Sequence, residues 1–233
     1  MSDIEWGDEV VVNPLEHSLH CFSSQVGFSN FHRPRRDGVQ VFVSDHVLQA
    51  VFNHVQSDLR HEQGGVLIGY PYRDRTTGVP FIDVIRAIPA LGAEGTPVHL
   101  QFTSESWAHM SGMISEHYND CVVVGWYHSH PGLGIFFSGT DRATQRSFFN
   151  QVWSVALVVD PVREELGWFI GPECNMGTDI FYYRGKQIPI TIAKDEATMI
   201  RVLTSLGLMS LAAGIGFWFY VRKKDQNRDE VRR

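Results

Sequence analysis

The stretch that decides the fold runs from Val122 to Phe149, VVVGWYHSHPGLGIFFSGTDRATQRSFF. Its apolar start leads through Trp126-Tyr127 into His128-Ser129-His130 and breaks at Pro131-Gly132, which reads as a buried β-strand ended by a turn. Side chains two apart on a strand share a face, so both imidazoles point the same way. Beyond the turn, Ser138 and Asp141 precede a helical stretch, Arg142 to Gln151. A strand, a loop and a helix start can bring one carboxylate back over the two imidazoles. A His, His, Asp set around a divalent ion leaves a fourth tetrahedral position for water, the open arrangement of a catalytic zinc site. Taken singly, the same residues have plainer readings. A strand histidine is ordinarily a core or surface residue, and Ser138-x-x-Asp141 is also a helix capping box in which Asp141 needs no metal.

Hydrolysis at such an ion also needs a base that is close to the metal and not bound to it. Upstream, Glu62-Gln63-Gly64-Gly65-Val66-Leu67-Ile68-Gly69 places a Glu at the mouth of a Gly-flanked apolar strand.

E-x-G-G-x-L-x-G, then H-x-H-P-G, then S-x-x-D resembles the JAMM (MPN-plus) metalloprotease family, and GWYHSHPGLG, SGTD and VVDP are most similar to its proteasome-lid deubiquitinase and signalosome deneddylase branch. The likeness spans Val39 to Ile192. It implies His128, His130 and Asp141 as ligands of one Zn2+, Glu62 as general acid/base, and Ser138 as a donor to the oxyanion of the tetrahedral intermediate. It further implies an isopeptidase or protease acting on conjugates of ubiquitin or a ubiquitin-like protein, of a kind often held inactive until assembled with a partner subunit. Two other readings remain beside it: a peptidase that trims a ubiquitin-like or sulfur-carrier precursor, and a non-catalytic MPN scaffold. The short interval from Asp141 to Trp153 leaves little room for the zinc-bearing insertion of some relatives, so no linkage preference carries over.

The 233-residue chain as a whole bounds these readings. With 43% hydrophobic and 20% charged residues it holds one full core with appendages. A net charge of −6 gives no electrostatic footprint for nucleic acid. Cys21, Cys121 and Cys174 are far apart, against a disulfide framework or zinc knuckle and in keeping with a reducing compartment. Cys121, at the head of an apolar strand, reads as a small buried residue rather than a nucleophile.

Residues 1–38 show no apolar periodicity and no signal-peptide core, and are expected to be a partly disordered extension. The catalytic domain is expected over 39–193. Val39–Val43 reads as a strand, and Ser44 as an N-cap to a helix whose Val47, Leu48, Val51, Phe52 and Val55 form one apolar face, with His46 and His54 towards solvent. Further strands are expected at Gly65–Tyr70, Phe81–Ile88, Leu100–Phe102, Trp153–Asp160, Gly167–Ile170, Ile180–Tyr183 and Ile188–Ile192, with a loop over Leu91–Pro97 and a second helix opening at Thr103 or Ser104. Strands mixed with a few helices, without regular βαβ alternation, indicate an α/β fold, a three-layer sandwich around a curved mixed sheet.

Last, Val202 to Val221 is twenty residues without a charge, flanked by Arg201 and Arg222-Lys223-Lys224. That length matches a ~30 Å hydrocarbon core, with Trp218 and Tyr220 as interfacial anchors. It predicts a transmembrane helix over 200–221, a basic tail over 222–233, and a C-terminally anchored protein whose catalytic domain faces the cytoplasm. Ser210, Ala212, Gly214 and Gly216 form small-residue pairs that can support a homodimer in lipid.

Overall fold

Strand alternation explains how one sheet buries both of its faces. A computed structural model describes residues 12–26, 38–177, 181–184 and 191–192. In chain order the elements are β1 (Leu15–His17), α1 (Leu19–Val26), β2 (Gln40–Ser44), α2 (Asp45–Val55), β3 (Gly64–Asp74), β4 (Pro80–Pro89), β5 (Glu94–Thr96), β6 (His99–Gln101), α3 (Ser104–His117), β7 (Val122–Ser129), α4 (Gly139–Phe148), β8 (Val155–Asp160), β9 (Glu165–Ile170), β10 (Asn175–Gly177), β11 (Phe181–Arg184) and β12 (Thr191–Ile192). The main sheet runs β10-β9-β8-β7-β3-β4-β2-β11, with β1 added to β3 and β12 to β9. It is mixed, since β7 lies antiparallel to β3 and parallel to β8.

Leu67, Tyr127 and Leu157 face α2 and pack with Val47, Val51 and Val55. Their neighbours Val66, Trp126, Ala156 and Val158 face the other way and pack with Met110 of α3. Central strands covered on both faces read as nearly continuous apolar runs, which is why β7 and β8 carry so few polar residues. The α/β fold with a mixed sheet agrees with the architecture expected from the sequence.

Two glycines let β3 sit tightly between its neighbours. A Cβ on Gly64 would lie 2.5 Å from the Tyr127 carbonyl oxygen, and one on Gly65 would run into that of Ile88. The pairing sets Gly64 opposite His128 and Gly65 opposite Tyr127, so the residue preceding this pair of glycines by two, Glu62, arrives beside the end of β7.

The structure departs from the sequence reading in several places. Residues before Val39 contribute to the sheet: β1 pairs parallel with Tyr72–Asp74 of β3, and Leu19 and Phe22 are buried against Phe42 and Phe81. The Leu19 amide donates to Asp74 Oδ1 at 2.9 Å, closing the start of α1 onto the β3–β4 turn. A single eight-residue helix with two anchors carries too little periodicity to stand out in sequence. His54 is half-buried, its Nδ1 within 2.9 Å of the Tyr127 hydroxyl, because that phenol needs a partner in the core. The segment read as a loop over Leu91–Pro97 instead contains β5, paired with β6 as a hairpin. The helix after the motif starts at Gly139, not Arg142, and ends at Phe148.

The membrane span also needs correction. Among the described residues no helix is long and apolar enough to cross a membrane, and residues 200–221, with their small-residue pairs, lie outside the described residues, as does the tail over 222–233. The chain divides into two units, Met1–Ala193 and Lys194–Arg233, and everything described falls in the first. Length and apolarity were the whole basis of the span expected over 200–221.

Phe22 touches Phe42, Phe81 and Tyr72 with ring centroids 5.0, 5.4 and 5.7 Å away. Phe22→Ala is expected to destabilise the domain by about 3 kcal/mol, the lower end for a buried aromatic. Urea unfolding followed by circular dichroism checks this, and an unchanged midpoint would show that α1 adds nothing to the core.

Candidate metal centre

β7 delivers both imidazoles. His128 lies within the strand and His130 one residue past its end, where the His130 amide still donates to the Val159 carbonyl of β8 at 2.8 Å. Ser129, between them, ties the site to the mouth of β3: its amide donates to the Gln63 carbonyl at 2.8 Å, and its Oγ accepts from the Gln63 amide at 2.9 Å. Glu62 is held one residue further out, its amide donating to the Thr96 carbonyl of β5 at 2.8 Å.

Asp141 comes from the first turn of α4. Ser138 is the N-cap: its Oγ accepts from the Asp141 amide at 3.1 Å, and Asp141 Oδ2 accepts from the Ser138 amide at 2.7 Å. The capping box is therefore formed, and the same carboxylate also reaches the imidazoles. His128 Nε2 lies 3.1 Å from His130 Nε2 and 3.4 Å from Asp141 Oδ1, while His130 Nε2 lies 3.6 Å from Asp141 Oδ2. Glu62 Oε1 stands 3.6 Å from His130 Nε2.

These distances test whether an ion fits. Tetrahedral zinc with nitrogen and oxygen ligands at ~2.0–2.1 Å separates neighbouring ligand atoms by about 3.3–3.4 Å, close to the separation of the two Nε2 atoms and to the distance of each from its nearer Asp141 oxygen, Oδ1 for His128 and Oδ2 for His130. In any tautomer of a neutral pair, only one Nε2 can donate to the other, whereas a cation satisfies both. All four side chains are buried, so a cluster without compensating charge would be costly. His128, His130 and Asp141 form a donor set that fits a divalent ion. Glu62 stands beside it and is unneeded for that set.

Aromatic rings hold the ligand rings in place. Trp126 stacks on His128 with centroids 4.4 Å apart and planes at 12°, and Phe136 covers His130 at 4.4 Å. Neither imidazole Nδ1 has a hydrogen-bond partner among the described residues. Metal-bound histidines ordinarily use that atom to fix ring orientation, so stacking is the contact that orients them here. Trp126 is itself fixed: its Nε1 donates to Gln145 Oε1 at 2.7 Å, and Gln145 Nε2 donates to the Phe149 and Gly171 carbonyls.

Electrostatics divide the carboxylates. Burial pushes Asp141 up, but donors from His128, His130 and Ser138 outweigh it and hold the group well below the usual carboxylate range. Glu62 lacks such donors, and burial pushes it up to about 7 against the pull of His130, with Asp141 adding repulsion. Burial lowers His128, favouring the neutral ring a metal requires.

All five residues singled out in the sequence lie at this end of the sheet: His128, His130, Asp141 and Glu62 converge, and Ser138 adjoins them through its cap. The sequence reading did not pick out Trp126, Gln145 or Ser129 as site residues. The signal for Gln145 was its spacing, four residues after Asp141 and so on the same helical face.

Residues 36–152 match the family model described as JAB1/Mov34/MPN/PAD-1 ubiquitin protease. The 26S proteasome regulatory subunit RPN11 of Eremothecium gossypii is 34% identical over 210 residues, covering 88% of this chain and 64% of that protein. Ubiquitin carboxyl-terminal hydrolase RPN11 of Saccharomyces cerevisiae is 35% identical over 130 residues, 54% of this chain and 40% of that one. COP9 signalosome complex subunit 5 of Caenorhabditis elegans is 39% identical over 85 residues, covering 34% and 23%. The chain thus spans less than two thirds of each of these relatives. Two of these names place their proteins in proteasome and signalosome assemblies, and with no membrane-crossing helix among the described residues this overturns the membrane location expected from the C-terminal apolar run.

The raised Glu62 has a consequence for stability without metal. In the unfolded chain its carboxyl ionises near 4.5, and in the fold it keeps its proton to about 7. The folded state therefore binds more protons between those values, and its stability falls as pH rises through that window. In chelated protein, urea unfolding of wild type and Glu62→Gln at pH 5 and 7.5 should show wild type losing ground to the variant at the higher pH. A pH-independent difference would remove the buried, protonated Glu62.

Proposed function

The chain belongs to the JAB1/Mov34/MPN/PAD-1 family, and from that premise we propose that it is a zinc-dependent isopeptidase that releases ubiquitin or a ubiquitin-like protein from its conjugates. The observation that carries the chemistry is the convergence of His128, His130 and Asp141 into a buried donor set that fits a divalent ion, with Glu62 buried alongside. The choice of substrate rests on the relatives' names and on the family model.

Bound by His128, His130 and Asp141, zinc supplies Lewis acidity to the scissile carbonyl and acidifies water. The residues of the chain do the rest. Glu62, poised near neutrality, takes a proton from the attacking water as its oxygen bonds to the carbonyl carbon, then passes that proton to the leaving lysine nitrogen as the C–N bond breaks. Ser138 Oγ accepts from the Asp141 amide, which leaves the hydroxyl proton to be donated to the negative charge growing on the carbonyl oxygen. Asp141, kept ionised by its donors, stays a ligand and takes no part in proton transfer. Phe136 and Leu133 expose apolar surface beside His130 and form one wall for the extended tail of the modifier.

This reading includes partners: the conjugate itself, and a larger assembly of the kind that gives the relatives their names. A scaffold without catalysis accounts less well for four buried metal-competent side chains brought to one point.

Cleavage of a ubiquitin fusion or isopeptide-linked dimer tests the activity. It should require metal, stop on chelation and return with zinc. Glu62→Gln should lower kcat by roughly a hundredfold or more. Ser138→Ala should lower it on the order of a hundredfold, with a further stability loss of about 1 kcal/mol from the missing cap. Cleavage indifferent to chelator and to Glu62→Gln refutes the mechanism.

A further inference from the structure

We propose that Asp160 is a positioning residue for the metal centre, holding the loop that follows His130 through two long-range hydrogen bonds. Asp160 ends β8, is fully buried, and lies beyond the residues matched by the family model. Its Oδ1 accepts from the Val162 and Arg163 amides at 3.0 and 3.1 Å, which closes the local turn after β8. The other two bonds have no local purpose. Oδ1 also accepts from the Gly132 amide at 2.9 Å and Oδ2 from the Gly134 amide at 2.8 Å, 28 and 26 residues away in sequence.

Those amides belong to the turn that leads directly out of His130. Gly132 and Gly134 take φ of +75° and +86°, and neither has a side chain to help define the backbone path there. A buried carboxylate gripped by four backbone N–H groups supplies that definition, since hydrogen bonds to an ionised acceptor are the strong kind. The path matters because the Leu133 amide donates back to the His130 carbonyl at 3.2 Å and because Phe136, at the far end of the loop, lies over the His130 ring. With His130 Nδ1 lacking a partner among the described residues, the loop is what aims this ligand. Asp160 therefore acts on the metal through backbone, as groups behind a metal ligand commonly do through side chains.

The inference deepens the isopeptidase reading and rests on it only where turnover is measured. Asp160→Asn spares one oxygen: the amide oxygen can still accept at the Oδ1 position, while its NH2 faces the Gly134 amide, donor against donor, and the ion pair of Oδ2 with Arg163 Nε at 3.6 Å is lost as well. In the full chain, amide exchange at Leu133–Ile135 should speed up, zinc affinity by chelator competition should fall tenfold or more, and kcat should fall by a similar factor with KM less affected. Phe22→Ala, which weakens a distant part of the core, serves as a control and should leave zinc affinity unchanged.

Zinc affinity within twofold of wild type in Asp160→Asn overturns the proposal, as does unaltered exchange in the loop. If Asp160→Asn does not fold, Gly134→Ala carries the test. Its Cβ would sit 2.6 Å from Arg163 Nη1 at a left-handed φ, straining the same loop with Asp160 intact. Folded Gly134→Ala with wild-type zinc affinity also overturns it. A wild-type chain that cleaves nothing, together with Asp160→Asn that loses zinc, keeps the positioning role and rejects the isopeptidase reading.

Discussion

Two buried imidazole nitrogens 3.1 Å apart are the constraint around which this domain is built. Neutral rings gain little from facing each other there, and the nearby carboxylates would be expensive to bury unpaired. A divalent cation resolves both difficulties, which makes the metal part of the structural logic as well as of the chemistry. The supports around it fit that purpose: Gly64 and Gly65 admit β3 close to β7, Ser129 locks the Glu62 mouth to the ligand strand, and Trp126 and Phe136 hold the rings.

The carboxylate that completes the set performs two jobs. Ser138-x-x-Asp141 reads equally as a helix cap and as a ligand, and in the structure these are one arrangement. Oδ2 closes the capping box while also facing His130, and Oδ1 faces His128. The cap fixes the side-chain torsions of Asp141 before any ion binds, so ligation requires little further ordering. The same N–H and ring donors keep Asp141 ionised where Glu62, without them, is not. Two acids in one pocket thus separate into a ligand and a proton carrier through their hydrogen bonds alone.

What could be read from sequence was what short-range periodicity encodes. The two-residue spacing of His128 and His130, the apolar face of α2 and the glycines after Glu62 each express a local backbone rule, and each held in the structure. Contacts that depend on the path of a loop were not legible. The β5–β6 hairpin has strands too short to show alternation, and residues 15–26 join the sheet through a three-residue strand and two buried side chains. Trp126 looked like an ordinary strand aromatic because nothing local says that it stacks on His128 or that Gln145, nineteen residues on, fixes its indole. The run over 202–221 offered apolar length alone, too little to settle the membrane location that was read from it.

Asp160 shows why such residues escape a reading made one stretch at a time. In sequence it ends an apolar strand before Pro161, and a turn-capping Asp accounts for it fully. Only the parallel pairing of β8 with β7, which sets Val159 beside Ser129, carries its carboxylate under the turn that leaves His130. Parallel neighbours end at the same edge of a sheet, so the loops after β7 and β8 emerge together. One buried acceptor can then define both, and a residue outside the H-x-H-P-G and S-x-x-D motifs governs the geometry within them.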